Sequence, residues 1–141
     1  MNEDDEKFLQ SFEQCSLSGK CLTHAAHIRM AWLQMERSAS FEEALERIRS
    51  GLMVFNSSVK TVAYHETITV AFARLIYSRS AAEKHQHWQD FLDKNSDLLA
   101  KDCLNAFYSP EILSSPKASV SFIEPDRAPL PINSEKPCPR K

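Results

Sequence analysis

Apolar residues recur at helical spacing over most of the chain, and the places where the pattern breaks predict five or six helices. Phe8, Leu9 and Phe12 mark one face of a first helix over residues 4–16, closed by Ser18-Gly19. A second helix over residues 22–37, with Thr23 or Ser18 as its cap, is apolar nearly all round: Ala25, Ala26, Ile28, Met30, Ala31, Trp32, Leu33 and Met35. A helix of that kind is central and buried. Ser40 and Glu43 form a Ser-x-x-Glu capping box ahead of Phe41, Ala44, Leu45, Ile48, Leu52 and Phe55, and Asn56-Ser57-Ser58 is expected to end that third helix. A fourth runs over residues 62–78 with Ile68, Phe72, Leu75 and Ile76 on one face. Its β-branched run, Thr67 to Val70, also permits a strand, but the 3.6-residue spacing and the alanines that follow favour helix.

Ser80 and Glu83 read as a second capping box, opening a fifth helix with Trp88, Phe91 and Leu92. Ser96 or Asp97 would cap a sixth, carrying Leu98, Leu99, Cys103, Leu104 and Phe107. All seven prolines lie at or after Pro110. Ser109-Pro110 and Ser115-Pro116 each predict a short helical turn, because proline suits the first helical position. The fold class expected is therefore all-α: a single helix bundle with an irregular, Pro-rich C-terminal segment. Residues 1–131 form the helical domain, residues 108–131 are an extended segment packed on it, and residues 132–141 are a disordered tail.

Composition narrows the chemistry. The chain has 141 residues, the size of one domain, and a formal net charge of −2, which gives no electrostatic footprint for nucleic acid. Two glycines leave no phosphate-cradling loop, and no apolar run approaches the roughly 20 residues of a membrane span. Cys15, Cys21, Cys103 and Cys138 form no CxxC pair. The acidic start lacks the basic and apolar regions of a signal peptide. Free thiols and a cytoplasmic location are the expectation.

The remaining chemistry lies with histidine. On a helical wheel His24 and His27 share the core-facing stripe of the second helix, and His65 heads the equivalent stripe of the fourth. Short connections make consecutive helices antiparallel, so the second and fourth run parallel and the three histidines meet at one end of the bundle. Glu66 reaches the same layer from the edge, with Tyr64 and Thr67 flanking it. His24, His27, His65 and Glu66 together could form a first shell for a divalent transition metal, Zn²⁺ or Fe²⁺. The positive field of two helix N-termini disfavours a cation there and suits an anionic ligand. Two function classes follow: a metal- or His-dependent enzyme acting on a small molecule, or a non-enzymatic helical binding module whose histidines are structural. His85 and His87 read as part of a solvated face, Trp32 and Trp88 as core, and Arg29 and Arg74 as surface or carboxylate-paired.

Long motifs carry a resemblance. Thr23-His24-Ala25-Ala26-His27-Ile28-Arg29-Met30-Ala31-Trp32, Ala44-Leu45-Glu46-Arg47-Ile48-Arg49-Ser50-Gly51, Tyr64-His65-Glu66-Thr67-Ile68-Thr69, Tyr108-Ser109-Pro110-Glu111 and Phe122-Ile123-Glu124-Pro125-Asp126 resemble a family of small all-helical bacterial proteins of uncharacterised function. The resemblance covers residues 20–131. It implies that His24, His27, Tyr64, His65, Glu66 and the Glu124-Pro125-Asp126 segment belong to the family pattern, and it supplies no activity.

Overall fold

Each helix begins and ends for a local reason, and those reasons set the frame for the site. The computed structural model describes residues 3–14, 24–59, 64–83, 87–100 and 102–130. In chain order the elements are α1 (Glu3–Glu13), α2 (His24–Arg37), α3 (Phe41–Val59), α4 (Glu66–Ala82), α5 (Trp88–Lys94), two 3₁₀ turns (Ser96–Leu99 and Cys103–Ala106), α6 (Pro110–Leu113) and α7 (Pro116–Val120). The described residues contain no strand, so the β-branched run of residues 67–70 is helical within α4. No helix among them is long and apolar enough to cross a membrane.

The capping box forms at the start of α3. The Glu43 amide donates to Ser40 Oγ at 3.1 Å, and Glu43 Oε1 accepts from the Ala39 amide at 3.1 Å, one residue earlier than the usual back-bond. Ser115 caps α7 by accepting from the Ala118 amide. Three expected boundaries move. α3 runs through Asn56-Ser57-Ser58 to Val59. α4 runs through Ser80 to Ala82, so Ser80 and Glu83 open no helix; Ser80 is buried inside α4 and Glu83 is its C-cap. Burial of the α4 face keeps the helix intact past a residue that would cap well in isolation. The sixth helix expected from Ser96 is broken in two at Ala100, whose backbone is extended (φ −66°, ψ 134°). The caps proposed at Ser18 and Thr23 and the tail over residues 132–141 lie outside the described residues, as do Cys15, Cys21 and Cys138. Cys103 is a free, half-buried thiol, and burial raises its pKa.

α2, α3 and α4 pack on one another as the centre of the bundle. α3 and α4 are antiparallel: Phe41 at the start of α3 meets Tyr77 late in α4 (ring centroids 5.2 Å apart), while Arg49 further along α3 bonds Glu66 at the start of α4. Only three residues join α2 to α3, so α2 runs back along α3 and parallel to α4. α1 departs from the antiparallel expectation. Asp5 pairs with Arg29 at 2.6 Å and Glu13 with Arg37 at 3.1 Å, so both helices advance together. Ten residues separate Glu13 from His24, and a chain of that length can span about 33 Å, more than the roughly 16 Å length of an 11-residue helix. Trp32 of α2 packs on Trp88 and Phe91 of α5 at 5.9 and 5.6 Å, and those two rings stack on each other at 6.0 Å.

Gly51 marks the tightest contact with α1. A Cβ there would lie 2.7 Å from Phe12 Cε2, and that ring is fully buried and stacked on Phe55. Gly51→Ala should therefore destabilise by about 1 kcal/mol, although alanine is intrinsically the better helix former by a similar amount. Urea unfolding checks the sign, and a stabilised variant would mean that Phe12 is free to shift.

Candidate functional site

The first residues of α2 and the second turn of α4 face each other across a cavity of about 230 Å³, partly open to solvent. Its floor is core: Met30, Ala31, Ile48, Leu52, Ala73 and Ile76 are all buried. Its upper wall is half-exposed and holds the polar groups, His27 and Thr69, beside Ile68 and Phe72. His24 is exposed and forms the mouth. Among the described residues no carboxylate or amine lines it.

His24 is held in place from two sides. Its Nε2–H donates to the Leu98 carbonyl at 2.8 Å, and its ring stands edge-on to Phe72 with centroids 5.2 Å apart. Leu98 is itself fixed, because Arg79 of α4 grips Asp97 at 2.9 and 2.7 Å and Asn95 at 3.0 Å, pinning the 3₁₀ turn that carries it. Since a carbonyl only accepts, Nε2 carries the proton and Nδ1 is the bare nitrogen of the neutral ring. His27, one turn on, lines the same cavity.

His65 takes a different role. It is the N-cap of α4, one residue before the helix, where Nδ1 accepts from the Ile68 amide at 3.1 Å and Nε2–H donates to the Leu113 carbonyl at 2.8 Å. Both ring nitrogens are used, and the ring ties α4 to α6. Glu66 turns toward α3: Arg49 donates to both its oxygens at 3.1 and 2.7 Å, and Tyr64 donates to Oε1 at 2.5 Å. The four expected ligands thus divide, with His24 and His27 on the cavity and His65 and Glu66 in separate contacts. Among the described residues no group of three or more His, Cys, Asp or Glu is placed to hold a metal ion. Helical wheels place residues on faces but give no side-chain direction at a helix end, where a ring can fold back to cap its own amides.

Burial of Glu66 works against its charge, but the bonds from Arg49 and Tyr64 outweigh this and hold its pKa below the usual carboxylate value. Burial, with the bond to Glu66 second, pushes the Tyr64 hydroxyl up to about 12. A depressed folded-state pKa contributes stability that is complete above the unfolded value of about 4.3 and is lost as pH falls through the folded value. Glu66→Gln should flatten the acid limb of the stability curve below about pH 5 and leave the shape above it unchanged. Melting temperatures from pH 2 to pH 7 test this, and parallel curves for the two proteins would sink it.

The segment after α7 is built into the fold beside these residues. Thr67, fully buried, donates to the Ser121 carbonyl at 2.9 Å and accepts from the Ile123 amide at 3.2 Å. Tyr108 donates to the Ile123 carbonyl at 2.6 Å, and Asp126 accepts from the Ser109 amide at the head of α6. Arg29 pairs with Asp5 and lies over Phe8, while Arg74 lies over Phe122. His87 stands exposed at the N-cap position of α5 without a side-chain capping bond, and His85 lies outside the described residues. Sequence reasoning missed Phe72, Ile48 and Leu52 as walls of a cavity, since an apolar stripe looks the same whether it meets a neighbour or leaves a gap. It also missed Arg49, whose only sequence signal is its i,i+3 spacing from Glu46. Comparisons with family models, curated proteins and solved structures find no match to the chain.

Proposed function

We propose that this protein is a small-molecule binding module whose ligand sits between α2, α3 and α4, apolar body inward and polar end at His24 and His27. The observation that carries the reading is the cavity of about 230 Å³ whose polar lining among the described residues, His24, His27 and Thr69, comes from the N-terminal turns of α2 and α4. Well-packed interiors leave few voids larger than a water molecule, and a dry apolar cavity of about 150 Å³ is enough to take up benzene. The volume lies below the common range of drug-sized pockets, about 300–1,000 Å³, which points to a fragment-sized ligand.

Binding is favoured over catalysis by the lining. A catalytic histidine works with a nucleophile, a carboxylate or a set of oxyanion donors within reach. Here the polar lining is His24, His27 and Thr69, and the Thr69 hydroxyl already donates to the His65 carbonyl at 2.8 Å. The resemblance to a bacterial family of uncharacterised function adds no activity to weigh against this.

The test is to fill the cavity from its floor. Ala73→Leu places extra carbons where the ligand body would sit. Titration of the full chain with small apolar probes, benzene and indole, should raise the melting temperature of the wild-type protein, since a ligand that binds only the folded state stabilises it. The variant should lose that response and melt at or above the unliganded wild-type temperature. If instead Ala73→Leu lowers stability by about 1–3 kcal/mol, as overpacking does, the space is not there and the reading fails.

A further inference from the structure

Resting on that reading of the cavity, we propose that its ligand is a small monocarboxylic acid with an apolar body, its carboxyl group held at His24. The order of residues along the cavity sets the shape of the molecule. Buried aliphatic side chains from α2, α3 and α4 form the closed end, and the imidazoles stand at the open end. A ligand that satisfies this gradient has one polar head and no second polar group on its body, because a buried polar atom without a partner is costly.

The tautomer of His24 then selects the head. Nε2–H is committed to the Leu98 carbonyl, and Nδ1 has no protein hydrogen bond among the described residues. A neutral ring presents Nδ1 as an acceptor, and a protonated ring presents it as a donor. A carboxyl group matches both states. As the acid it donates to Nδ1; as the carboxylate it accepts from Nδ1–H, and that bond is charge-assisted. His27, the other imidazole on the cavity, has an interaction of its own within the protein, so the head is held by His24. Among the described residues an ammonium head finds no carboxylate on the lining to pair with, and an alcohol makes only a neutral hydrogen bond. Nearby acids do not oppose the ligand charge: Asp97, next to Leu98, is bound to Arg79, and Glu66 to Arg49 and Tyr64.

Matched pairs of probes test the head separately from the body. Hexanoate against 1-hexanol, and 3-phenylpropionate against 3-phenyl-1-propanol, are titrated into the full chain by calorimetry. Each acid should bind about tenfold more tightly than its alcohol, the difference expected of a charge-assisted bond over a neutral one. His24→Gln keeps an amide donor in place of Nε2–H for the Leu98 carbonyl and deletes Nδ1. In that variant the acids should weaken more than the alcohols, which lose only a neutral hydrogen bond, and the tenfold difference between them should close. Equal binding of acids and alcohols by the wild-type protein, or equal weakening of both by His24→Gln, overturns the carboxylic-acid assignment and leaves the cavity standing as an apolar site. If neither class binds, the cavity reading falls and takes this assignment with it. The acid-to-alcohol ratio of the wild-type protein needs no variant, so poor folding of His24→Gln would not protect the proposal.

Discussion

Ending the chain after Ser121 should cost about 6 kcal/mol of stability and lower the melting temperature by more than 10 °C. The residues removed look like a tail, yet they complete the hydrogen bonding of what remains. Tyr108 and Thr67 lose their bonds to Ile123, and the Phe107 carbonyl loses the Arg127 amide at 2.8 Å. The Ser109 amide loses Asp126. Four hydrogen bonds at about 1 kcal/mol each, together with the buried side chain of Leu130 at about 2 kcal/mol, give a total near that figure. The loss falls hardest on Tyr108, whose ring is fully buried and whose hydroxyl would be left without its acceptor. Thermal unfolding of the shortened chain measures the effect. A melting temperature equal to that of the full chain would show that residues 122–130 are not part of the folded unit.

The second large effect is expected at His65. His65→Ala removes an N-cap, worth about 0.5–2 kcal/mol, and a bond from α4 to the Leu113 carbonyl, worth about 1 kcal/mol. The sum, about 1.5–3 kcal/mol, is large for a half-exposed residue with little apolar surface to lose. His65→Asn restores a good capping side chain but does not reach α6, so it should recover about half the loss. Urea unfolding of the three proteins gives the order wild type, Asn, Ala. An alanine variant as stable as the wild type would mean the ring makes neither bond in solution. The same variants separate the histidines by role: changes at His65 act on stability, changes at His24 on the ligand.

The pattern of residues was sufficient to read the helices and much of the core. Trp32, Leu33, Ile48, Leu75 and Ile76 stand at helical spacing and are buried as that spacing requires. The capping box at Ser40 and Glu43 and the prolines at Pro110 and Pro116 mark helix starts that the fold uses. These features are local: a cap, a proline and a periodic stripe act within one or two turns of themselves. They misled where a local preference met a stronger contact, as at Ser80, which lies buried within α4 and opens nothing.

The histidines show where local reading stops. Sequence alone placed His24 and His27 on one face of a central helix, and both line one cavity, though His24 is exposed; His65, expected inside the fourth helix, is the residue before it. Which atom each ring bonds was decided by groups far away in the chain. The carbonyl that orients His24 belongs to Leu98 and the one that orients His65 to Leu113, 74 and 48 residues on. Backbone carbonyls are carried by every residue type, so no pattern of side chains announces them. The cavity is likewise a property of three helices together, since its volume is set by how far apart Ile48, Phe72 and Ala31 come to rest. Helix formation is a matter of neighbours in sequence. A binding cavity and the direction of a ring are matters of neighbours in space, and only the packed chain supplies those.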